Sequence, residues 1–525
     1  MKKIFISILS IVALLTTTVS CTDQLEDINK NPNEPLVTEV TTAGLFNNAN
    51  ENLMTTSRDG FASGRMTLPW MQYSAQLAYT EEDRFQFREG TNQSLYLNYY
   101  LTAADYKTII DLNTDPELKV KNSVYGNSTN QIAAARIMLA YTFSLLVDAY
   151  GDVPYYSYGN SDPDFQALQS TEYLKPKFAS QEKIYTDILK ELKEASESVV
   201  LTEAVFTEGD LLFKSPAKLV KFANSLRLRI ATRVNGVVPG AQAHIDDAKT
   251  KVMTSNADSV GLTYQKDDVN PSPMYRAFFI SNRTDFAMTN TFVSLLKGED
   301  GPFGIVDPRL QKYAAPNTAA ISAVKAATYA ETDDLTKYVG MPYGLISAEA
   351  TSQVKGSSFW SSNVLKQDYT EILMEYAEVE FLLAENNGWN STNYINGITA
   401  SMTRWGVTPA KMATYLASVP AATQETVLTQ KYIALFMQPY EAYSEYRRTG
   451  FPNTLLLPGQ SRPLNTPRPT GETTYTFVAL NNLTRMPDRF TYPLNLQQLN
   501  GENVKAAAAA IGGDALDTKL IWAKK

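Results

Sequence analysis

The sequence predicts a mostly α-helical protein in which aromatic-rich loops separate the helices. Apolar residues recur at helical spacing in several long segments, whereas strand patterns are few and short, with Thr474–Val478 as one candidate. The segments between helices are rich in Pro, Gly, Asn and Tyr, and their aromatic content argues against disorder. No Pro-, Gly- or Ser-rich linker divides residues 36–525, so we expect them to form a single globular domain.

The predicted helices each carry one apolar stripe with polar residues opposite. They are Asn130–Ala149, Lys183–Val199, Pro216–Val234, Ile372–Glu385 and Val427–Phe436. Ser215 followed by Pro216 is a typical helix start, because serine caps the first turn and proline suits its first position. The first two helices, and likewise the last two, are spaced like the members of degenerate helix–turn–helix repeats. The remainder is expected to be an irregular, loop-rich half with a few short strands.

Residues 1–20 have the pattern of a bacterial secretory signal peptide. Lys2 and Lys3 precede an apolar stretch, Ile4–Leu15, which is shorter than the roughly 20 residues of a membrane-spanning helix. Cys21 follows Val19–Ser20, where a lipoprotein signal peptidase would cut, and it is the one cysteine of the chain. We therefore predict a lipid anchor on Cys21 and a polar tether over residues 21–35.

Composition excludes several classes of chemistry. With one Cys and one His, His244, the chain lacks the ligands for an internal disulfide, a Cys₄ zinc site or a multi-histidine metal site. The net charge of −8 and a pI near 5.1 argue against nucleic-acid binding. There is no phosphate-binding glycine loop and no G-x-S-x-G turn. We expect no cofactor, no metal site and no catalytic residues, and hence no enzyme.

Several blocks, taken together and in order, resemble the SusD/RagB family of nutrient-binding outer-membrane lipoproteins, in its SusD-like second branch. They are INKNPNEP (Ile28–Pro35), DAYGDVPYY (Asp148–Tyr156), PKFASQEKIYTDILKEL (Pro176–Leu192), KFANSLRLRIATRV (Lys221–Val234), DPRL (Asp307–Leu310), EYAEVEFLLAE (Glu375–Glu385), QKYIALFMQPYEAYSEYRRTGFP (Gln430–Pro452) and RFTYPLNLQQLN (Arg489–Asn500). Two departures are Gln497, where an acidic residue is common, and the single Trp522, where a tryptophan pair is frequent.

The resemblance implies a SusD-like fold, with tetratricopeptide-like helix pairs packed against the loop-rich half. It also implies a lipid-anchored protein on the surface of the outer membrane, where it captures oligosaccharide and passes it to a SusC-like TonB-dependent transporter. The acidic residues that follow the lipidated cysteine, Asp23, Glu26 and Asp27, resemble the export signal of Bacteroidetes surface lipoproteins.

Sugar capture requires flat apolar faces that stack on pyranose rings, flanked by polar groups that bind hydroxyls. Three loops offer that mixture: Pro69–Glu89, Phe359–Asn363 and, more weakly, Tyr275–Arg283. The candidate ligand-binding residues in them are Trp70, Tyr73, Tyr79, Asp83, Arg84, Trp360 and Asn282. If this assignment is right, replacing Trp70 or Trp360 by alanine should weaken glycan binding and leave thermal stability largely intact.

The charged residues of the helical blocks have a structural interpretation. Glu385 is expected to form ion pairs with Arg447 and Arg448, which lock helices together. Two alternative functions remain open. A surface glycosidase could use two carboxylates, for example on the face shared by Glu375, Glu378 and Glu385. A helical-repeat protein could instead bind peptide.

Overall fold

A computed structural model of the chain describes residues 40–354 and 356–524. The predicted signal peptide, the lipid anchor at Cys21 and the tether lie outside the described residues. Within them the protein is mostly helical, as predicted. The longer helices are α1 Thr42–Ser57, α2 Glu89–Thr114, α3 Pro116–Asn122, α4 Ser128–Tyr150, α5 Gln181–Ser198, α6 Pro216–Val234, α7 Ala241–Ala248, α8 Asn290–Lys297, α9 Ile321–Ala326, α10 Ser347–Gln353, α11 Tyr376–Asn386, α12 Ser391–Arg404, α13 Pro409–Leu416, α14 Gln424–Ala434, α15 Pro439–Thr449 and α16 Leu496–Ile511.

The strands form three short antiparallel ribbons. They are β1 Ser74–Gln76 with β3 Phe286–Met288, β2 Val260–Thr263 with β4 Thr370–Met374, and β5 Ser461–Pro463 with β6 Thr474–Thr476. The strand predicted at Thr474–Val478 is confirmed. The prediction of one helix from Ile372 was wrong at its start, because residues 370–374 pair with β2 and the helix begins only at Tyr376.

The helical half is built from neighbouring helices that pack in pairs. Helix α4 packs on α2 and α5, α5 packs on α6, and α11 packs on α12 and α14, so both predicted pairs are in contact. Ser215 caps α6 by accepting a hydrogen bond from the Lys218 backbone N–H, as its sequence indicates. Gly397 permits the close approach of α12 to α11, since a Cβ there would lie 2.8 Å from the Phe381 ring.

Helix α4 is the centre of the main core. It is the one helix of the described segments that is long and apolar enough to cross a membrane, and 89% of its most apolar window is buried. This burial makes it a core helix. Around it, buried apolar residues from α1, α2, α5 and α6 form one continuous cluster, and a smaller cluster lies between α11, α12 and α14.

Buried ion pairs link the helices of this half, and we call the set the buried ion-pair layer: Asp148, Arg229, Arg233, Glu378, Glu385, Glu441, Glu445 and Arg448. Arg448 donates from Nη1 and Nη2 to the two carboxylate oxygens of Glu385, at 2.6 and 2.7 Å, which confirms that predicted pair. Arg447 corrects the prediction. It donates to the Asp488 carbonyl oxygen and lies over the Tyr443 ring, because its guanidinium points to the other side of α15.

Candidate functional site

Two exposed aromatic rings mark the candidate site, on the loop-rich half. We call it the Phe61–Tyr79 surface, formed by Phe61, Arg65, Tyr79, Arg283 and Asp285. The side chains of Phe61 and Tyr79 are 46% and 60% exposed. The Arg65 guanidinium carbon lies 5.4 Å from the centroid of each ring, and that of Arg283 lies 5.7 Å from the Tyr79 centroid. Cation–π contacts thus hold two apolar faces in place while leaving them open to solvent.

One carboxylate orients both arginines. Asp285 accepts a hydrogen bond from Arg65 Nη2 at 3.0 Å and from Arg283 Nη2 at 2.7 Å, with Arg283 Nε at 3.2 Å from its other oxygen. The Arg283 side chain is 37% exposed, so its guanidinium group can also donate to a ligand beside Tyr79, whereas Arg65 is buried. The arrangement therefore combines apolar stacking faces with fixed hydrogen-bond donors, which is the chemistry that sugar recognition requires.

The ribbon β1–β3 brings the parts together, because it places the loop after β1 beside the loop before β3. The Leu77 N–H donates to the Asp285 carbonyl oxygen at 2.7 Å. Asp83 is buried and accepts a hydrogen bond from the Gln76 N–H at 2.8 Å, which closes the loop that presents Tyr79. Burial raises the pKa of Asp83 to about 7. Asp83, predicted as a ligand residue, thus acts as an anchor of the loop.

Two clefts flank Phe61. The larger, of about 540 Å³, lies between the segment after α1 and the start of α2, with Gln86, Arg88 and Glu89 on one wall. The smaller, of about 190 Å³, is lined by Arg65, Arg276 and Arg283 and floored by Phe286. Asp59 and Phe61 belong to both. Two of the three predicted loops, Pro69–Glu89 and Tyr275–Arg283, therefore meet at this surface.

Irregular helical turns shape the smaller cleft. Arg65 lies on a π-helical turn, Ser63–Thr67, and Arg276 begins another, Arg276–Ile280. Such turns carry an extra residue and are frequent at functional sites. Asp59 holds the segment before the first of them by accepting hydrogen bonds from the N–H groups of Phe61 and Ala62, at 2.8 and 2.6 Å. Burial raises the pKa of Asp59, and these two hydrogen bonds oppose the rise.

Both predicted tryptophans are buried, which corrects the expectation that they present faces to a sugar. Trp70 is fully enclosed by Phe87, Tyr443 and Phe490 among others, and its indole N–H donates to the Glu82 carbonyl oxygen at 3.1 Å. It supports the larger cleft from behind, through Phe87. The reason for its burial is long-range packing that no local pattern reveals.

Trp360 has the same role behind the smaller cleft. It is fully buried and lies parallel to Phe286, with the two ring centroids 6.0 Å apart, and it also contacts Phe278. Because Phe286 floors the cleft, Trp360 shapes the site without reaching it. The loop Phe359–Asn363 is therefore part of the core packing.

The other predicted residues divide in the same way. Tyr73 is buried, stacked on Tyr432 with 4.6 Å between ring centroids, and its hydroxyl donates to the Tyr432 carbonyl oxygen. Arg84 is partly exposed and donates to the Val478 carbonyl oxygen at 3.0 Å. Asn282 is exposed and precedes Arg283 directly, so it and Tyr79 are the predicted residues that the structure places at the surface.

Three residues of this surface were not predicted from the sequence: Phe61, Arg65 and Asp285. Phe61 lies in the segment Asp59–Gly64, between two glycines, where no apolar periodicity distinguishes an exposed ring from a buried one. Asp285 follows Arg283 by two positions, and that spacing was the one local signal of a pair. The contact of Arg65 with Asp285 spans 220 positions and could not be read from the sequence.

The carboxylates considered for hydrolysis are engaged elsewhere. Glu378 is buried and bound by Arg229, and Glu375 is buried and lies 3.2 Å from Arg404. Glu385 is held by Arg448. No group of three or more His, Cys, Asp or Glu side chains in the described ranges could hold a metal ion. A pair of carboxylates facing an open cleft is therefore not formed by these three residues.

Comparison with known proteins decides the family. The sequence profile of the family SusD-like_2, described as "Starch-binding associating with outer membrane", matches residues 32–493. The chain belongs to the SusD-like family. No curated protein matches the sequence significantly.

Solved structures of SusD-like proteins share the fold. A SusD homologue from Bacteroides uniformis is 22% identical, with a TM-score of 0.71 over 94% of this chain and 100% of the other. A protein described as a chitin-binding SusD homologue from Flavobacterium johnsoniae is 21% identical, with a TM-score of 0.67, covering 92% and 98%. Another, described as a chitin-binding protein, is 22% identical, with a TM-score of 0.69, covering 90% and 99%. At this identity the likeness concerns the fold, which agrees with the mostly helical class predicted.

Proposed function

We propose that this SusD-like protein is a non-enzymatic, lipid-anchored surface protein that binds oligosaccharide at the Phe61–Tyr79 surface and delivers it to a SusC-like TonB-dependent transporter. The observation that carries the proposal is the pair of exposed rings. Among the large apolar side chains that are exposed in the described ranges, Phe61 and Tyr79 are the aromatic ones, and both contact the same arginine.

The geometry supports binding of an extended chain. Phe61 stands between the two clefts, so a glycan that stacks on Phe61 can extend toward Gln86 and Arg88 on one side and toward Arg283 on the other. The exposed side chains of Asn282 and Arg283 supply donors for hydroxyls. The family description names starch, and two structural relatives are described as chitin-binding, so α-linked glucose chains and β-linked N-acetylglucosamine chains are the first ligands to test.

The test uses the soluble chain from Asp23 onward, with malto-oligosaccharides and chito-oligosaccharides as ligands in isothermal titration calorimetry. Each of Tyr79→Ala and Phe61→Ala should weaken binding of the accepted glycan about two- to tenfold, since an aromatic contact contributes about 0.5–1.5 kcal/mol. Tyr173→Ala is the matched control, because Tyr173 is a partly exposed tyrosine that lines neither cleft, and it should leave affinity unchanged.

Trp360→Ala separates this proposal from the sequence prediction. Because the ring is fully buried, its loss should cost about 3–5 kcal/mol of unfolding free energy, measured by urea denaturation. A Trp360→Ala protein of unchanged stability would contradict the structure.

Two outcomes would overturn the proposed function. Release of new reducing ends from either oligosaccharide would indicate a hydrolase. Binding of a peptide library with no glycan bound would indicate a peptide-binding protein. If a glycan binds and neither Tyr79→Ala nor Phe61→Ala alters its affinity, the binding site lies elsewhere on the protein.

A further inference from the structure

A further cleft, which shares no lining residue with the two clefts beside Phe61, has basic walls. It has a volume of about 310 Å³ and lies between the start of α6, the ribbon β2–β4 and the end of α12. We call it the Lys218 cleft. Its charged lining side chains are Lys214, Lys218 and Arg404, and no acidic side chain lines it. In a protein of net charge −8 this local excess of cations requires an explanation.

The charges of the cleft are only partly neutralised. Arg404 forms an ion pair with Glu375, with 3.2 Å between Arg404 Nη1 and Glu375 Oε2. Lys218 is half-buried, and neither it nor Lys214 has a carboxylate oxygen within 4.0 Å in the described part of the chain. The two acidic residues near these lysines bind other groups. Asp258 binds Lys221 at 2.9 Å, and Asp210 accepts hydrogen bonds from backbone N–H groups, including that of Lys214 at 2.9 Å.

Helix stability does not account for this placement. Lys214 directly precedes the capping Ser215, and Lys218 lies in the first turn of α6, which contains no acidic residue. The N-terminus of a helix carries a partial positive charge, so cations there are unfavourable. Burial lowers the pKa of Lys218, and the neighbouring Lys214 lowers it further. Two lysines at this position concentrate positive potential in the cleft at a cost to the fold.

Polar groups complete the lining. The hydroxyls of Thr263 and Thr370 lie 2.9 Å apart across the ribbon β2–β4. Asn256 donates to the Ala400 carbonyl oxygen at 3.0 Å, and its own side-chain oxygen is buried without a hydrogen-bond partner. Ammonium groups whose charge is only partly neutralised, beside hydroxyl groups, fit an anionic ligand.

We propose that the Lys218 cleft binds a small oxyanion, a carboxylate, sulfate or phosphate group, held by Lys214 and Lys218. The group can belong to an acidic sugar or to a free anion. None of the residues that line this cleft lines the clefts beside Phe61, so the two sites are built from different residues.

The test is calorimetric titration of the soluble chain from Asp23 onward with inorganic phosphate, inorganic sulfate, glucuronate, glucose 6-phosphate and, as the neutral probe, glucose. We expect at least one anion to bind, and the double variant Lys214→Gln/Lys218→Gln to weaken it by at least about tenfold. Lys266→Gln/Lys505→Gln is the matched control, because both of these lysines are exposed and lie outside the cleft, and it should change affinity by less than about twofold.

The comparison of probes identifies the source of the anion. Tighter binding of glucose 6-phosphate than of phosphate assigns the cleft to an acidic sugar, and equal or weaker binding assigns it to a free oxyanion. The melting temperature of the cleft variant should be unchanged or higher, since it removes cations from a helix start. The proposal is overturned if no anion binds, or if the control variant weakens binding as much as the cleft variant does.

Discussion

The buried ion-pair layer and the Phe61–Tyr79 surface are both built around arginines and carboxylates, and they differ in burial. Arg229 and Glu378 have side chains that are 4% and 0% exposed, whereas Arg283 and Asp285 are 37% and 13% exposed. In the layer the arginines bind buried carboxylates, and most of these pairs join two helices. At the surface the pair only orients the arginine, and ring faces and N–H groups remain free. The same chemistry is thus structural in one place and available to a ligand in the other.

The difference explains why the blocks that carry the family resemblance contain none of the proposed glycan-binding residues. Lys221–Val234 and Glu375–Glu385 supply the arginines and glutamates of the layer. Removing one partner of a fully buried pair leaves a desolvated charge, which is expensive. Such residues are constrained by folding, whereas residues at an exposed surface are free to differ with the ligand.

The largest expected effect comes from breaking the layer. Arg229→Leu leaves Glu378 buried without its partner, and we expect a loss of about 3–5 kcal/mol of unfolding free energy in urea denaturation. Glycan affinity of the folded fraction should not change, because Arg229 lies in the helical half. A folded Arg229→Leu protein that has wild-type stability, or that has lost glycan binding, would contradict the assignment of a structural role to the layer and a binding role to the surface.

A pH-dependent effect tests the border between the regions, where Arg58 follows α1 and faces Glu371 on β4. Glu371 is buried, its oxygens accept no hydrogen bond in the described part of the chain, and Arg58 Nε lies 3.9 Å from one of them. Burial raises the pKa of Glu371 from 4.5 to about 7, opposed by Arg58 and Arg404. Between these values the folded protein holds a proton that the unfolded chain releases, so stability falls as pH rises.

Glu371→Gln removes this dependence. Its stability relative to the wild type should increase by up to about 1.4 kcal/mol per pH unit between pH 4.5 and 7, and level off above pH 7. Urea denaturation at several pH values measures the difference. Glu117→Gln, on the exposed face of α3, is the control and should show no such trend. A constant difference for Glu371→Gln across the range would contradict the raised pKa.

The smallest effect is expected for an exposed pair. Lys411 Nζ lies 2.5 Å from Asp333 Oδ1, as close as the buried pairs, but the Asp333 side chain is 78% exposed. Hydration of the separated charges nearly matches their attraction. Asp333→Asn should therefore have the same urea midpoint as the wild type. A clear destabilisation would show that distance, rather than burial, decides the contribution of ion pairs in this protein.

Much of the helical half could be predicted from the sequence. Both ends of the helix Pro216–Val234 were predicted correctly, because its serine cap and apolar stripe are local signals. Ser128–Tyr150 and Gln181–Ser198 were placed to within two residues at each end, for the same reason. The start of α11 was misplaced because the apolar residues Ile372–Met374 suit a buried strand as well as a helix, and their pairing with β2 lies more than 100 positions away.

The candidate site was predictable only in part. The loops Pro69–Glu89 and Tyr275–Arg283 were identified from their mixture of aromatic and polar residues, and Tyr79 and Asn282 do lie at the surface. The choice of Trp70, Tyr73 and Trp360 as accessible rings was wrong. An aromatic residue in a loop has no periodic neighbours, so its sequence cannot indicate which face of the ring is covered.

By itself the sequence determined the helical class, the ion pair of Glu385 with Arg448, and the family, because periodicity, caps and ordered motifs are properties of short segments. The tertiary structure alone decided which aromatic rings face solvent. Trp70 is covered by Phe490 and Trp360 by Phe286, whereas Phe61 and Tyr79 are left open beside Arg65. Exposure depends on contacts between residues far apart in the chain, and only the folded chain brings them together.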